Sequence, residues 1–145
     1  MIEISQEHGN ISSVLCNIYN TARANAGCYP DKDISLIEFN ELIKGEEIYT
    51  ALIEGNIVGF IGVYSREFFI HHLYVMPAYQ SKGAGKQLLG YSYKKYGQPL
   101  TLKCDHCNLA ALGFYRAMGL VSISEGVGDF GAWTEFRLEW QIADA

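Results

Sequence analysis

One stretch limits the possible folds of this chain more than any other: Leu73-Tyr-Val-Met-Pro-Ala-Tyr-Gln-Ser-Lys-Gly-Ala-Gly-Lys86. An apolar strand runs into Pro77, a short loop follows, and a glycine pair leads into a helical pattern carried by Leu88, Leu89, Ser92 and Tyr96. Strand, loop and helix start in that order gather unpaired backbone N–H groups at one point. The helix dipole adds to their preference for negative charge, so a phosphate-bearing ligand is expected there.

Two phosphate motifs fail on spacing. A Walker A loop would need glycine where Gln80 stands and a hydroxyl where Gln87 stands. A dinucleotide fingerprint would need a small third residue at Leu88 for close helix–strand packing.

What remains is Gln80-x-x-Gly83-x-Gly85 after Leu-x-Val and Pro77. In this the chain resembles the GNAT superfamily of N-acetyltransferases, whose loop reads Gln/Arg-x-x-Gly-x-Gly/Ala. A second block, Asn108-Leu-Ala-Ala-Leu-Gly-Phe114-Tyr115-Arg-Ala-Met-Gly119-Leu120, resembles the family's closing motif. There an Asn opens a helix that carries Phe-Tyr and ends at Gly before a strand. The blocks stand in the family's order, about 25 residues apart. The close likeness covers roughly Ile57 to Ser124, and the N-terminal third matches in pattern only.

The chain has 145 residues, 49% hydrophobic and 19% charged, which suits a single folded domain over residues 1–145 and argues against disorder. Its net charge of −5 argues against a nucleic-acid partner and is compatible with a cationic amine. No apolar run is long enough to cross a bilayer and Met1-Ile2-Glu3 does not open a secretory signal, so a cytoplasmic enzyme with no membrane partner is expected. Lys82 and Lys86 sit where they could reach phosphate oxygens, whereas Lys94 and Lys95 read as a solvated last helical turn. Cys16, Cys28, Cys104 and Cys107 lack the second pair of a zinc site, and free thiols in a reduced compartment are expected.

Periodicity predicts alternating helices and strands. Ile2 to Ser5 reads as a strand. A helix capped by Asn10 carries Ile11, Val14, Leu15, Ile18, Tyr19 and Ala22, and is broken by Gly27 and Pro30. Ser35-x-x-Glu38 is a capping box for a short helix with Leu36, Phe39 and Ile43 inward and Gly45 as its stop. Ile48 to Ile53 and Ile57 to Tyr64 form a hairpin closed at Gly55-Asn56. Phe68 to Val75 follows across a turn at Arg66-Glu67. Leu100 to Cys104 and Leu120 to Ser124 are further strands flanking a helix over Ala110 to Met118. In Trp133 to Trp140, Phe136, Leu138 and Trp140 alternate with charged residues, so one face is buried. The fold class is α/β (α+β), a mixed sheet with helices on both faces. The resemblance implies about seven mostly antiparallel strands, about four helices and a splayed parallel pair.

The resemblance also implies chemistry. Acetyl-coenzyme A is the implied co-substrate and no metal is implied. Its pantetheine arm would pair with Leu73, Tyr74 and Val75, and its pyrophosphate with the N–H groups of Gln80, Ser81, Lys82, Gly83, Ala84, Gly85 and Lys86. Backbone freedom explains the glycines at 83 and 85. Tyr115 would stabilise or protonate the leaving thiolate. Asn108 either contacts the cofactor or caps its helix.

A general base must take the proton of an ammonium acceptor. Histone-modifying relatives place a glutamate at the position of Phe69, which cannot serve. Arylalkylamine-acetylating relatives carry histidines on this strand, which points to His71. Strand alternation puts His72 on the opposite face, and Glu67 or a water chain are the alternatives. The expected activity is transfer of acetyl to a primary amine of a small molecule or peptide by direct attack within a ternary complex. The alternative is an inactive cofactor-binding sensor that keeps the fold. The acceptor pocket falls to the N-terminal helices and Gly126 to Trp133, where Tyr29, Phe130 and Trp133 supply aromatic surface. A homodimer is compatible with the family.

Overall fold

The structure, a computed structural model, describes residues 1–6, 9–29 and 32–140. Among these, seven strands form one sheet: β1 (Ile2–Ser5), β2 (Glu47–Ile53), β3 (Asn56–Tyr64), β4 (Phe69–Val75), β5 (Leu100–Asp105), β6 (Val121–Gly128) and β7 (Gly131–Leu138). Their order is β1-β2-β3-β4-β5-β7-β6. Neighbours run antiparallel except β4 and β5, which are parallel. The helices are α1 (Ser12–Ala26), α2 (Leu36–Leu42), α3 (Ala84–Tyr96) and α4 (Leu109–Ala117). None is long and apolar enough to cross a membrane.

The sheet has a core on each face. On one, Leu15, Ile18 and Tyr19 of α1 and Phe39 of α2 bury against Phe60. On the other, Leu88 and Leu89 of α3 and Leu112 and Tyr115 of α4 bury against Tyr49, Ile61, Val63, Leu100 and Leu102. Each fully buried Leu or Phe contributes about 1.5–3 kcal/mol.

Local signals explain most boundaries. The Ser35 hydroxyl accepts the Glu38 N–H while the Glu38 carboxylate accepts the Ser35 N–H, completing the expected capping box. At α1 the N-cap is Ile11, without a side-chain cap, so Asn10 does not serve. The Pro30 stop lies outside the described residues. The β2–β3 turn is Glu54-Gly55, one residue earlier than expected, because both positions take the positive φ that a tight hairpin needs. Residues 126–133 belong to the β6–β7 hairpin rather than to a loop, and Trp140 lies beyond β7 against Tyr93.

Candidate active site

The parallel pair makes the site possible. β4 and β5 are paired at one position, Phe69 with Thr101, and then diverge. The Thr101 N–H donates to the Phe68 carbonyl at 3.0 Å, closing the apex of the wedge. Beyond Phe69, no residue of β4 is paired with β5, so Leu73, Tyr74 and Val75 edge an open gap. An extended ligand can satisfy those backbone groups as an added strand would.

The loop at the open end is shaped by backbone conformation. A single 3-10 turn (Pro77–Tyr79) follows β4, and then Ser81 and Gly83 both take positive φ, 65° and 94°. Positive φ at a non-glycine residue such as Ser81 is uncommon. The Gln80 side-chain amide donates to the Val75 carbonyl at 3.2 Å and so ties the loop back to the strand. In α3 the Gln87 N–H bonds the Gly83 carbonyl, which leaves the amides of Ala84, Gly85 and Lys86 without intrahelical acceptors. Those amides suit an anion. An open groove of about 500 Å³ continues past Gly83, Lys86 and Gly90 to Lys94. Lys94 and Lys95 are exposed in the last turn of α3, as expected of a solvated helix end, and Lys94 also borders this groove.

Across the gap stands α4. Asn108 accepts the Ala111 N–H and caps the helix. Tyr115 is buried in the α3–α4 core, where burial pushes its phenol well above the ordinary value and keeps it protonated. Cys104, Tyr74 and Tyr29 surround it closely enough to add to that shift. Burial pushes the Cys104 thiol up to about 11 and the Tyr74 phenol to about 12. The Tyr29 hydroxyl donates to Asp105 at 2.9 Å, and Phe130 meets the Tyr29 ring edge-on at 4.9 Å. The Arg23 guanidinium lies 3.9 Å above the Tyr29 ring. Tyr29 and Phe130 thus pack together, and Tyr29 also lines a small pocket with Tyr19, Asn20 and Arg23. Trp133 is elsewhere, packed on Gly126 and under Lys103.

The two histidines depart from the expected alternation. β4 bulges between His72, opposite Gly62, and Ile70, opposite Val63, so His71 is an extra residue. The bulge turns both rings to one carboxylate. His71 Nδ1 lies 2.7 Å from Glu46 Oε2, and His72 Nδ1 lies 2.9 Å from Oε1. Glu46 is fully buried, His72 nearly so, and the His71 side chain is 32% exposed. Burial alone would raise the Glu46 pKa, but the hydrogen bonds and charges of both histidines outweigh it and hold the carboxyl below its usual range. Burial lowers His72, against a partial opposing effect of Glu46. Glu67 is exposed in the turn after β3.

The cysteines also differ from expectation. Cys28 and Cys107 form a disulfide with Cα atoms 5.8 Å apart, whereas Cys16 and Cys104 are free and buried. The bridge joins the residue before Tyr29 to the residue before Asn108. The two halves of Cys104-Asp-His-Cys107 therefore do different things, one in the core and one in the bridge.

The sequence-predicted residues thus fall into three groups. Leu73 to Val75 with Gln80 to Lys86 line the gap and its loop, Asn108 and Tyr115 stand across it, and His71 with His72 sit near the apex. Glu46 and Asp105 join them without a sequence signal for their roles, and Tyr29, read from the sequence as aromatic surface, meets Asp105 through its hydroxyl. Gly62 was the one available clue to Glu46, since a Cβ there would fall inside the carboxylate.

Comparison with known proteins bears on this geometry. A family model described as "Acetyltransferase (GNAT) family" matches residues 14–120. Sequence comparison with curated proteins finds no match. The fold is similar to that of an N-acetyltransferase from Rhodopseudomonas palustris, with TM-score 0.78, 20% identity and 93% of each chain covered. It is similar to the ribosomal-protein-alanine N-acetyltransferase of Brucella melitensis, with TM-score 0.74 and 17% identity over 94% of this chain and 98% of the other. YncA of Salmonella typhimurium, solved with its cofactor acetyl-CoA, aligns with TM-score 0.69 and 17% identity over 96% and 94%.

Proposed function

The chain belongs to the acetyltransferase (GNAT) family, and on that premise we propose that it transfers an acetyl group from acetyl-coenzyme A to a primary amine by direct attack. The wedge between β4 and β5 carries this reading, because its unpaired strand edge leads straight into a helix start with free amides. A ligand that is extended and amide-bearing at one end and phosphorylated at the other matches both parts. Acetyl-coenzyme A would supply an activated thioester.

The chain's own groups then divide the work. Backbone of Leu73 to Val75 aligns the ligand, and an N–H of this edge polarises the thioester carbonyl. Amides from Gln80 to Lys86, with Lys82 and Lys86, hold the pyrophosphate. Tyr115, kept protonated by burial, donates a hydrogen bond to the departing thiolate. His71 takes the acceptor's proton. Tyr29 and Phe130 offer an aromatic wall to the acceptor's carbon skeleton, and a small molecule or peptide end fits that opening.

An acceptor screen tests this. Free coenzyme A is measured with polyamines, aminoglycosides, amino acids and peptides. Acceleration by at least one primary amine is expected. Cofactor binding with no acceleration by any acceptor would make the protein a cofactor-binding module instead.

A further inference from the structure

The Glu46–His71–His72 cluster is more ordered than a base on a strand requires. A glutamate from the α2–β2 connection, fully buried, meets two adjacent histidines that only a bulge can bring to one side. Gly62 leaves the carboxylate its room, since a side chain at that position would overlap Oε1. A buried charge persists only where its lone pairs find donors. Here each oxygen has one ring nitrogen.

Two chemistries fit three such ligands within 4.8 Å of one another: a cation, or hydrogen bonds. Distance separates them. Around a tetrahedral zinc with bonds of about 2.0–2.1 Å, neighbouring ligand atoms stand about 3.3 Å apart. The observed separations are 2.7 and 2.9 Å, and each histidine addresses a different oxygen. That is the pattern of two N–H donors on one carboxylate.

We infer that Glu46 is a positioning residue, which fixes His71 and His72 as Nδ1–H tautomers and leaves Nε2 of the part-exposed His71 as the nitrogen that accepts the acceptor's proton. This rests on the acetyltransferase reading above. The ammonium gives one proton to Nε2, and the freed amine forms the nitrogen–carbon bond. The carbon–sulfur bond breaks with its electron pair leaving on sulfur, and the second surplus proton of the nitrogen ends on that sulfur as free coenzyme A. Glu46 then faces the resulting imidazolium and stabilises it. His72 completes the carboxylate's second oxygen and holds it still. His71 also stacks on Tyr64, centroids 5.0 Å apart at 23°, which restricts ring rotation.

The tautomers are read by nitrogen-15 NMR of the histidine rings in the metal-free full chain. Both are expected as Nδ1–H in the wild type, and Glu46→Gln is expected to lose that state in at least one ring, because an amide offers one acceptor oxygen. With an acceptor in hand, Glu46→Gln should lower kcat at least tenfold while the KM for acetyl-coenzyme A changes less than twofold. Nε2–H on His71 in the wild type would overturn the proposal, as would an unchanged kcat in the variant. Stoichiometric zinc shifting both Nδ1 signals to metal-bound positions would overturn it in favour of a metal site. The wild-type spectrum decides even if the variant does not fold. It is also independent of turnover, so the absence of any acceptor would count against the enzyme reading alone.

Discussion

The ring of Phe114 fills the space that a side chain on Gly85 would need, with Cζ 2.9 Å from that Cβ position. The glycine loop and the Phe-Tyr helix are therefore one packed unit across the gap. Gly85→Ala forces the ring to swing, which is expected to cost about 1 kcal/mol and to weaken acetyl-coenzyme A binding severalfold. Calorimetric titration beside a thermal melt checks this. Unchanged affinity would mean that α4 is free to shift without disturbing the loop.

Tyr115→Phe removes a buried hydroxyl and little volume. Turnover is expected to fall at least about tenfold with cofactor Kd unchanged, since the role proposed for the phenol is at the departing sulfur. Steady-state kinetics beside a binding isotherm separates the two quantities. Wild-type turnover would remove Tyr115 from the mechanism.

His72 is held below its ordinary pKa chiefly by burial, with Arg23 and the His71 charge acting the same way and Glu46 in opposition. The unfolded chain therefore binds a proton that the folded chain does not, over pH values just below about 6.5. Stability is expected to fall as pH drops through that window. Glu46, held low, extends the loss further into acid, below about 4.3. Urea unfolding midpoints from pH 7.5 to 5 should show the slope in the wild type, and His72→Gln should flatten its upper part. An identical slope in the variant would assign the effect to another group.

The bridge between Cys28 and Cys107 closes a sequence separation of 79. Alkylation of the unfolded, unreduced protein should label two thiols, Cys16 and Cys104, and reduction should label four. Cys107→Ser is expected to lower stability by on the order of 2–4 kcal/mol. Because the bridge flanks Tyr29 and Asn108, reduction is also expected to raise the KM of the acceptor more than that of the cofactor. Four labelled thiols before reduction would restore the free-thiol expectation.

Ser35→Ala removes one half of a fully formed capping box and should cost about 1 kcal/mol, seen as a lower melting temperature. The site should be untouched.

Much of the fold was legible because its signals are local. The capping box at Ser35, the helical stripe of Leu88 and Leu89 and the alternation of Phe136 and Leu138 each act within a few residues. The errors came where one residue more or less changes everything behind it. The Glu54-Gly55 turn and the β4 bulge at His71 are such places, since sheet register has a period of two. Cys28 and Cys107 lie far apart in the chain, and no spacing rule joins a lone pair of cysteines across it.

By itself, the sequence determined a strand, a glycine loop and a helix start with free backbone amides, the part to which we assign the acetyl donor. Tertiary structure alone decided how His71 and His72 are partnered. Glu46, Gly62, His71 and His72 come from three separate segments, and they meet because a bulge turns two adjacent side chains to one face. Backbone hydrogen bonding is written in neighbouring residues, whereas the convergence of side chains on a buried carboxylate depends on strand register.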